Sequence, residues 1–388
     1  MNRLAKAYST AAIILLNTLI LTLVVELTLG VAWRAKASLE SGRRADVSGL
    51  QAAYPGLSED EIRAIRREHV QANAFSYLPW TQFGVHDFEG RHVKVKDALR
   101  ASEPTMSGPG SGEALTIDFY GGSTMWGFNV ADADTIPSRF AKGWNGQTTG
   151  VAVSVANLGQ PYWFSAQEVL QFLHNVRRGR IPNVVIFLDG VNDTLQRSAS
   201  YHSYPFFTPR LEHLMTRFSG DGRGVGLVRS LTDALRATTT YNLLSRLDLF
   251  RSPGANPYAA PAGKSDADVA GVIAQNYRAN VKLASDVCRS HGITCLFFWQ
   301  PAPFYHYDNP GDGIAARDER PEFVAIYEEV RRSRGELENF HWLADELARF
   351  EGPAFVDRYH YSVPFNDHLA GEIRGRVLEA LNRKRSGG

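Results

Sequence analysis

The sequence has few cysteines and no excess of charge of one sign. Two cysteines in 388 residues cannot build a disulfide scaffold, and they lack the four-ligand spacing of a structural zinc site. The 42 Lys and Arg residues nearly cancel the 41 Asp and Glu residues, so no broad basic surface indicates a nucleic-acid partner. A composition of 44% hydrophobic and 21% charged residues excludes a collagen-like or disordered chain. The function therefore depends on a local site.

The two cysteines, Cys288 and Cys295, flank a helix-ending segment, Ser290-His291-Gly292. They are expected at the end of a helix and inside the strand after it. A single bridge in an oxidising compartment and two buried thiols both fit this placement. The sequence leaves the two alternatives open.

Residues 11–33 form a long apolar run near the N-terminus, with only Asn17 and Glu26 as strongly polar members. At ~1.5 Å per residue such a helix is roughly 35 Å long, enough to cross a bilayer core of ~30 Å. A secretory signal has a shorter apolar stretch of ~7–15 residues. We therefore predict a cytoplasmic segment at 1–10 and an uncleaved transmembrane anchor at 11–33. A cleaved signal, with Ala35-Lys36-Ala37 as the cleavage site, is the alternative.

The charges on either side of the apolar run do not settle its orientation. Basic residues flank it on both sides: Arg3 and Lys6 before it, and Arg34, Lys36, Arg43 and Arg44 after it. The larger number of basic residues after the run mildly favours a cytoplasmic location for the rest of the chain. Short N-terminal anchors, however, usually export the rest of the chain. We predict a single-pass membrane protein with its body on the extracytoplasmic side. Glu26 is expected to pair with another helix or extend toward water, although a charge in a span can also mark a functional site.

Residues 34–113 are predicted to form a tether and an accessory segment. Ser58 and Glu61 make a capping-box pattern that opens a short helix through His69. Residues 77–96 alternate apolar and polar side chains around Gly90, which predicts a hairpin that packs on the edge of the main domain.

Residues 114–388 alternate strand and helix patterns. Short apolar runs predict strands that are covered on both faces, and helical periodicity lies between them. Such alternation is typical of a parallel sheet with helices on both sides, an α/β fold of three layers. The predicted strands are Leu115–Tyr120, Val151–Ala156, Val184–Leu188, Ile293–Trp299 and Ala354–Val356, and the predicted helices are 132–144, 164–178, 267–290, 321–350 and 366–383.

Polar motifs stand directly after four of the predicted strands, at the sheet edge where α/β proteins bind ligands. Ser123 lies in a glycine-flanked turn, 121–127, which can expose its hydroxyl at a helix N-terminus. The same turn fits a phosphate nest or a simple small-residue loop, but it has no Gly-Lys-Ser/Thr. Gly159 comes after the second strand, where a backbone N–H can approach a ligand; an ordinary loop glycine is the alternative.

The other two motifs carry an amide and an acid-base pair. Asn192, after the third strand, can donate its side-chain N–H to a developing oxyanion, or it can form an Asx turn. Asp357 lies three residues before His360, so the carboxylate can hold one imidazole nitrogen while the other faces a nucleophile. A helix cap and a surface histidine are the alternatives for that pair. Four such motifs at four strand ends are difficult to explain as independent coincidences.

Together these motifs resemble the SGNH/GDSL hydrolase family, over roughly Leu115 to the C-terminus. The resemblance implies a flavodoxin-like fold with Ser123 as nucleophile, His360 as general base and Asp357 as its orienting group. It also implies an oxyanion hole made by the N–H groups of Ser123 and Gly159 and by the Asn192 side chain. The chain departs from the family at Gly122, where aspartate is common, and at Tyr162, where many members have glycine.

The predicted function is a membrane-tethered serine esterase that cleaves an ester of a cell-surface or exported glycan or lipid through an acyl-enzyme. The predicted partners are that substrate and the membrane, with no nucleic acid. No cofactor and no metal are expected, because the activated hydroxyl, the base and the oxyanion donors complete the chemistry. An O-acyltransferase for an envelope polysaccharide and a non-catalytic glycan-binding module are the alternatives. Deacetylation of a polysaccharide is the leading expectation for the reaction.

Other histidines and two aromatic loops are weaker candidates. Asp367 and His368 are adjacent on a helix and do not face each other, so they make a poorer pair. The aromatic loops 201–207 and 299–307 are expected to overhang the site, where they either contact substrate or form a hydrophobic cluster. The remaining histidines are expected in surface or core positions: His174, His202, His213, His306 and His341.

Overall fold

The structure is a computed structural model that describes residues 3–44, 47, 49–102, 114–145, 151–197, 238–241, 260, 263–307 and 320–386. Its described residues divide into two compact units. The first lies within Met1–Asp46 and Phe206–Ala259, and the second within Val47–Pro205 and Ala260–Gly388.

The first unit contains one long helix, α1, Arg3–Arg44. Its segment Ala5–Ala32 is long and apolar enough to cross a membrane, and none of that segment is buried. A signal sequence would pass the same test of length and composition. The Glu26 carboxylate accepts hydrogen bonds from the backbone N–H groups of Thr239 and Thr240 at 2.7 and 3.0 Å. This glutamate therefore has a partner within its own unit.

The second unit is built around an eight-stranded mixed sheet with the order β10-β9-β8-β6-β7-β5-β4-β3. Five of these strands are parallel, and they form its central part: β6 (Leu115–Gly121), β7 (Val153–Asn157), β8 (Val184–Asp189), β9 (Thr294–Trp299) and β10 (Phe340–Trp342). Numbered in chain order, the parallel strands are arranged 2-1-3-4-5. Every residue of β8 is buried, as expected for a strand covered on both faces.

Three short antiparallel strands extend the sheet beyond β7: β3 (Phe88–Glu89), β4 (Lys94–Lys96) and β5 (Leu99–Arg100). Strands β1 (Phe75–Leu78) and β2 (Gln82–Val85) form a separate hairpin. The hairpin predicted around Gly90 is present as β3-β4, and it lies at the sheet edge. The central parallel sheet predicted for the main domain is present, and the accessory segment makes the whole sheet mixed by adding its own antiparallel strands to the open edge of β7.

Helices cover both faces of the sheet. Alternate side chains of the strands point to opposite faces, so Ile117, Phe119 and Ile186 share one core with Phe140 and Phe365. Tyr120 and Phe187 point the other way and contact Phe172 of α5. The helices of this unit are α2 (Glu59–Ala72), α3 (Ser123–Trp126), α4 (Ile136–Asn145), α5 (Ser165–Arg177), α6 (Val191–Thr194), α7 (Asp266–Ser290), α8 (Pro321–Ser333) and α9 (Val363–Ser386), with 3-10 turns at Gln51–Ala53, Asp132–Asp134, Leu195–Arg197, Arg334–Glu336 and Glu346–Arg349.

The predicted capping box of α2 is confirmed. Ser58 Oγ accepts from the Glu61 backbone N–H, and the Glu61 carboxylate accepts from the Ser58 N–H at 2.9 Å. The two cysteines are joined as a Cys288–Cys295 disulfide, which connects the end of α7 to β9. Of the two alternatives that the sequence leaves open, the structure contains the bridge.

The strand predicted at Ala354–Val356 was wrong, and so was the extent of the helix predicted at 321–350. The helix ends at Ser333 and the fifth parallel strand is β10, which lies inside the predicted helical range. After a 3-10 turn, Leu337 is extended and Asn339 has a left-handed backbone with φ of 52°, so the chain has left the helical conformation before the aromatic strand residues. Residues 354–356 form only an isolated bridge, between Phe355 and Tyr361.

Candidate active site

Ser123 is the first residue of α3, directly after β6. Gly122 is extended and allows the chain to turn from the sheet into this short helix. The first N–H groups of a helix have no intrahelical acceptor, so the Ser123 hydroxyl lies where backbone donors are available. The turn closes with Gly127, whose φ of 83° suits a residue without a side chain.

Asp357 and His360 lie in a tight turn between a pair of bridged segments. The His360 carbonyl accepts from the Val356 N–H at 2.8 Å, which brings the two ends of the turn together. Inside the turn, Asp357 Oδ1 accepts from the N–H groups of Tyr359 and His360, both at 2.9 Å. These local hydrogen bonds hold the carboxylate and the imidazole on the same side of the chain.

The three predicted side chains form one continuous hydrogen-bonded series. His360 Nε2 lies 2.9 Å from Ser123 Oγ, and His360 Nδ1 lies 2.8 Å from each Asp357 oxygen. Burial opposes ionisation of Asp357, but the adjacent His360 and the backbone N–H donors prevail and hold its pKa below the usual value. A carboxylate that stays ionised fixes the Nδ1–H tautomer and leaves Nε2 to accept a proton.

Asn192 lies beside the nucleophile turn. Its Nδ2 donates one N–H to the Trp163 carbonyl at 2.6 Å, which leaves the second N–H of the amide for another acceptor. A Cβ at Gly122 would lie 2.4 Å from Asn192 Nδ2 and 3.2 Å from the Trp163 oxygen. The absence of a side chain at Gly122 therefore makes room for the amide.

Gly159 has a different environment from the one expected. Its N–H donates to the side chain of Asn157 at 3.1 Å, and an added Cβ would lie 2.6 Å from the Trp126 backbone nitrogen. The glycine thus permits close packing against α3. Asn157 in turn donates to the Met125 carbonyl at 3.1 Å, so this side chain connects the Gly159 loop to the nucleophile helix.

Tyr162 has a φ of 69°, in the left-handed region that favours glycine. This backbone conformation accounts for the glycine that the resemblance implies at this position. The β1-β2 hairpin packs on the same loop, because Trp163 Nε1 donates to the Phe83 carbonyl and Gln160 Oε1 accepts from Val85. The accessory segment therefore supports a loop of the site.

Several residues that the sequence did not single out hold the turn after α3. Arg100 is 2% exposed and donates to the carbonyls of Trp126, Gly127 and Val130, while its Nε donates to Asp132 at 2.9 Å. His69 Nε2 donates to the Val130 carbonyl at 2.8 Å. Burial and the nearby Arg100 lower the pKa of His69 well below its usual value, so this imidazole is neutral.

Three buried carboxyl groups lie behind the Asn192 helix: Glu168, Asp189 and Asp193. Burial raises the pKa of each, and mutual repulsion raises those of Glu168 and Asp189 further. Asp193 has a pKa of about 6 and accepts from Ser165 Oγ at 2.6 Å and from the Gly190 N–H at 3.3 Å. These bonds fix the turn that carries Asn192.

The weaker candidates have structural environments. His368 Nε2 contacts the Glu346 carboxylate at 3.0 Å rather than Asp367, and His306 contacts Asp345. Of the two alternatives for the 299–307 loop, the structure contains the hydrophobic cluster, because the rings of this loop are buried against neighbouring aromatic side chains. Those rings are Trp299, Phe304, Tyr305 and Tyr307. The 201–207 loop, His202 and His213 lie outside the described residues.

Within the described ranges, no cluster of three or more His, Cys, Asp or Glu side chains could hold a metal ion. The groups near Ser123 are instead a base, a carboxylate and N–H donors. That set can activate a hydroxyl and stabilise a negative oxygen.

A scan of protein-family models found no match to this chain, and a search of curated proteins found none either. Solved structures give weak similarities. An acetylxylan esterase variant from Geobacillus stearothermophilus is 12% identical, with a TM-score of 0.38 over 69% of this chain and 95% of that one. The esterase EstA from a Pseudoalteromonas species is 9% identical, with a TM-score of 0.38 over 69% and 99%. A protein from Desulfitobacterium hafniense assigned to the G-D-S-L family of lipolytic proteins is 11% identical, with a TM-score of 0.33 over 68% and 98%.

Proposed function

We propose that this chain is a serine esterase of the SGNH/GDSL type. The proposal is carried by the Ser123–His360–Asp357 hydrogen-bonded series, in which a hydroxyl, an imidazole and an ionised carboxylate are already in order. The 2-1-3-4-5 order of the parallel strands, which is that of flavodoxin-like sheets, supports the same class. The His360 Nε2 atom 2.9 Å from Ser123 Oγ favours a catalytic serine over an ordinary loop serine.

The reaction begins when Ser123 Oγ attacks the carbonyl carbon of the ester and its proton passes to His360 Nε2. The carbonyl oxygen becomes an oxyanion, which the Ser123 N–H and the second N–H of Asn192 stabilise. The C–O bond then breaks, and the imidazolium gives its proton to the departing alcohol. Water attacks the acyl-enzyme by the same route, releases the carboxylic acid and restores Ser123.

The N–H of Gly159 is a third candidate donor for the oxyanion. This N–H already donates to Asn157 Oδ1 at 3.1 Å. In the proposed mechanism it is therefore a bifurcated donor, with Asn157 Oδ1 and the oxyanion as its two acceptors. Removing one donor of an oxyanion hole typically lowers kcat by about 10²–10³-fold. We expect Asn192→Ala to have an effect of this size.

The proposed substrate is an ester of a cell-surface or exported glycan or lipid, with acetyl groups on a polysaccharide as the leading candidate. The apolar segment of α1 supports a membrane location, and the Cys288–Cys295 disulfide fits an oxidising compartment. The exposed rings of Tyr77 and Trp80 belong to the β1-β2 hairpin that packs on the Gln160–Trp163 loop, and such rings can stack on sugars.

Labelling with a fluorophosphonate probe tests the catalytic proposal. The full-length protein in detergent should be labelled, Ser123→Ala should not, and His360→Ala should be labelled far more slowly with an unchanged melting temperature. No labelling of a folded wild-type protein would contradict the esterase and favour a non-catalytic glycan-binding module. If labelling succeeds, an assay with an acetylated donor and a sugar acceptor separates hydrolysis from O-acyl transfer, which uses the same three residues.

A further inference from the structure

Two consecutive residues after α3 contact both the base and the carboxylate of the proposed triad. The ring centroid of Phe128 lies 4.6 Å from that of His360, with 30° between the planes. Asn129 Nδ2 donates to Asp357 Oδ2 at 2.6 Å. The segment that starts at Ser123 therefore also contacts the other two members of the proposed triad.

The Asn129 hydrogen bond complements those made within the Asp357 turn. The backbone N–H groups of Tyr359 and His360 both donate to Oδ1, whereas Asn129 donates to Oδ2. His360 Nδ1 lies 2.8 Å from both oxygens, so the orientations of the imidazole and of the carboxylate depend on each other. Asn129 adds a donor at Oδ2 from outside the Asp357 turn, and it thereby helps to fix the plane of the carboxylate that faces His360 Nδ1.

The accessory segment holds the backbone of Asn129 in place. Its φ is 65°, and its carbonyl accepts from the buried Tyr54 hydroxyl at 2.7 Å. The next carbonyl, of Val130, accepts from both His69 and Arg100. A side chain on such a firmly bonded turn can hold a hydrogen bond in one geometry.

We propose that Asn129 is a positioning residue for Asp357 and that Phe128 covers one face of the His360 ring. This inference rests on the proposed catalytic roles of Ser123, Asp357 and His360. A neutral amide suits the position because it donates to the carboxylate without adding charge. Glycine would adopt the same backbone conformation but could not donate.

Asn129→Gly tests the proposal because it keeps the left-handed backbone and removes only the donor. Hydrogen bonds to charged groups are strong, so we expect kcat for p-nitrophenyl acetate and the rate of fluorophosphonate labelling to fall by roughly 10- to 100-fold. The matched control is Asn339→Gly, a second asparagine with positive φ, at 52°. The control should stay within twofold of wild type, and both variants should melt at similar temperatures.

Asn129→Asp separates positioning from a general structural role. At low pH the new carboxyl shares a proton with Asp357 and replaces the amide as donor, whereas at high pH two negative charges repel. We expect activity close to that of wild type at the acid end of the range and a progressive loss as pH rises. The groups that act on the Asp357 carboxylate, His360, Tyr54 and His69, are unchanged in this variant. A merely structural role would lower activity by the same factor at every pH.

The outcomes separate this inference from the proposed function. If wild type is labelled, Ser123→Ala is not, and Asn129→Gly retains the wild-type rate, the inference is overturned and the esterase stands. If wild type is not labelled at all, the proposed function itself fails. Should Asn129→Gly fold poorly, the pH profile of Asn129→Asp decides: an unchanged profile shape contradicts positioning.

Discussion

Gly122 shows how a single missing side chain shapes the site. In the position where the family motif commonly has aspartate, a Cβ would meet the Asn192 amide at 2.4 Å. Asn192 is thereby free to donate to the Trp163 carbonyl beside the turn that carries Ser123. The Gly-Gly-Ser turn and the position of the Asn192 amide are two aspects of one packing arrangement.

We predict that Gly122→Ala lowers kcat by roughly 10- to 100-fold, less than the complete loss of a donor. The shortest contact of the new methyl group is with the end of the Asn192 side chain, and the Trp163 carbonyl at 3.2 Å needs to move by only a few tenths of an ångström, so the protein should remain folded. Steady-state kinetics and circular dichroism measure the two effects. Gly271→Ala in α7 is the control, since a Cβ there meets no described atom within 4 Å. Equal kcat values for the two variants would contradict the prediction.

Most of the proposed catalytic residues were predictable at the residue level, whereas the residues that hold them in place were not. Ser123, Asn192, Asp357 and His360 stand in short motifs whose residue types indicate the chemistry. Asn129 carries no such signal, because its partner Asp357 is 228 residues away and any turn can contain an asparagine.

Strand β5 contributes the buried Arg100 to the site from the edge of the sheet. Its guanidinium joins Asp132 to three carbonyl groups of the turn after Ser123, and it lies 4.4 Å above the Trp126 ring. The accessory segment, expected to pack only on the edge, therefore also holds the loop that carries Phe128 and Asn129.

We expect Arg100→Ala to lower the free energy of unfolding by about 3–5 kcal/mol, because it leaves the buried Asp132 carboxylate without its charge partner. Urea titration followed by tryptophan fluorescence measures the change. Arg63→Ala is the control: Arg63 makes ion pairs with Glu59 and Asp60 at the surface, which are worth only ~0–1 kcal/mol. Similar losses for both variants would show that the buried position of Arg100 adds nothing.

The buried carboxyl groups connect α5, β8 and α6. Because burial raises the pKa of Glu168 and Asp189, the folded protein binds protons there that the unfolded chain has released at neutral pH. Their contribution to stability is therefore complete below the unfolded pKa of about 4 and declines as pH rises toward the folded pKa.

The Glu168→Gln variant should lose less stability than wild type as pH rises. We expect it to melt a few degrees higher than wild type at pH 8 and at the same temperature below about pH 3, where the wild-type carboxyl is neutral in both the folded and the unfolded state. Thermal melts across this range measure the difference. A gap in melting temperature that does not change with pH would argue against a neutral Glu168 in the folded state.

At the scale of the whole molecule, the apolar segment of α1 predicts attachment to a membrane. If Ala5–Ala32 is an uncleaved anchor, the protein isolated from cells should retain Met1 or Asn2 by intact mass and stay in the membrane pellet after an alkaline carbonate wash. A mature chain that begins near residue 38 would instead identify a signal peptide. A reporter fused after Gly388 tests the side: function restricted to the cytoplasm would contradict the extracytoplasmic placement.

Local patterns along the chain were sufficient to predict the alternation of strands and helices in the second unit and the motifs on which its proposed chemistry rests. Strands buried on both faces must be apolar throughout, and helices between them must repeat every 3.6 residues, so both signals are local. Reactive residues collect at the carboxyl ends of parallel strands, which made the four motifs recognisable without contacts.

Long-range packing selected the side chains that hold those motifs in place. The fifth parallel strand lies at 340–342 rather than at 354–356, and the aromatic rings of the 299–307 loop are buried. The Gly159 N–H donates to the Asn157 side chain. Arg100 reaches the turn after Ser123 from β5, which pairs with β7, whereas Tyr54 reaches that turn through a hydrogen bond to the Asn129 carbonyl. Such contacts depend on how distant segments pack together. They leave no periodic pattern in the sequence, because the residues that make them are far apart in the chain.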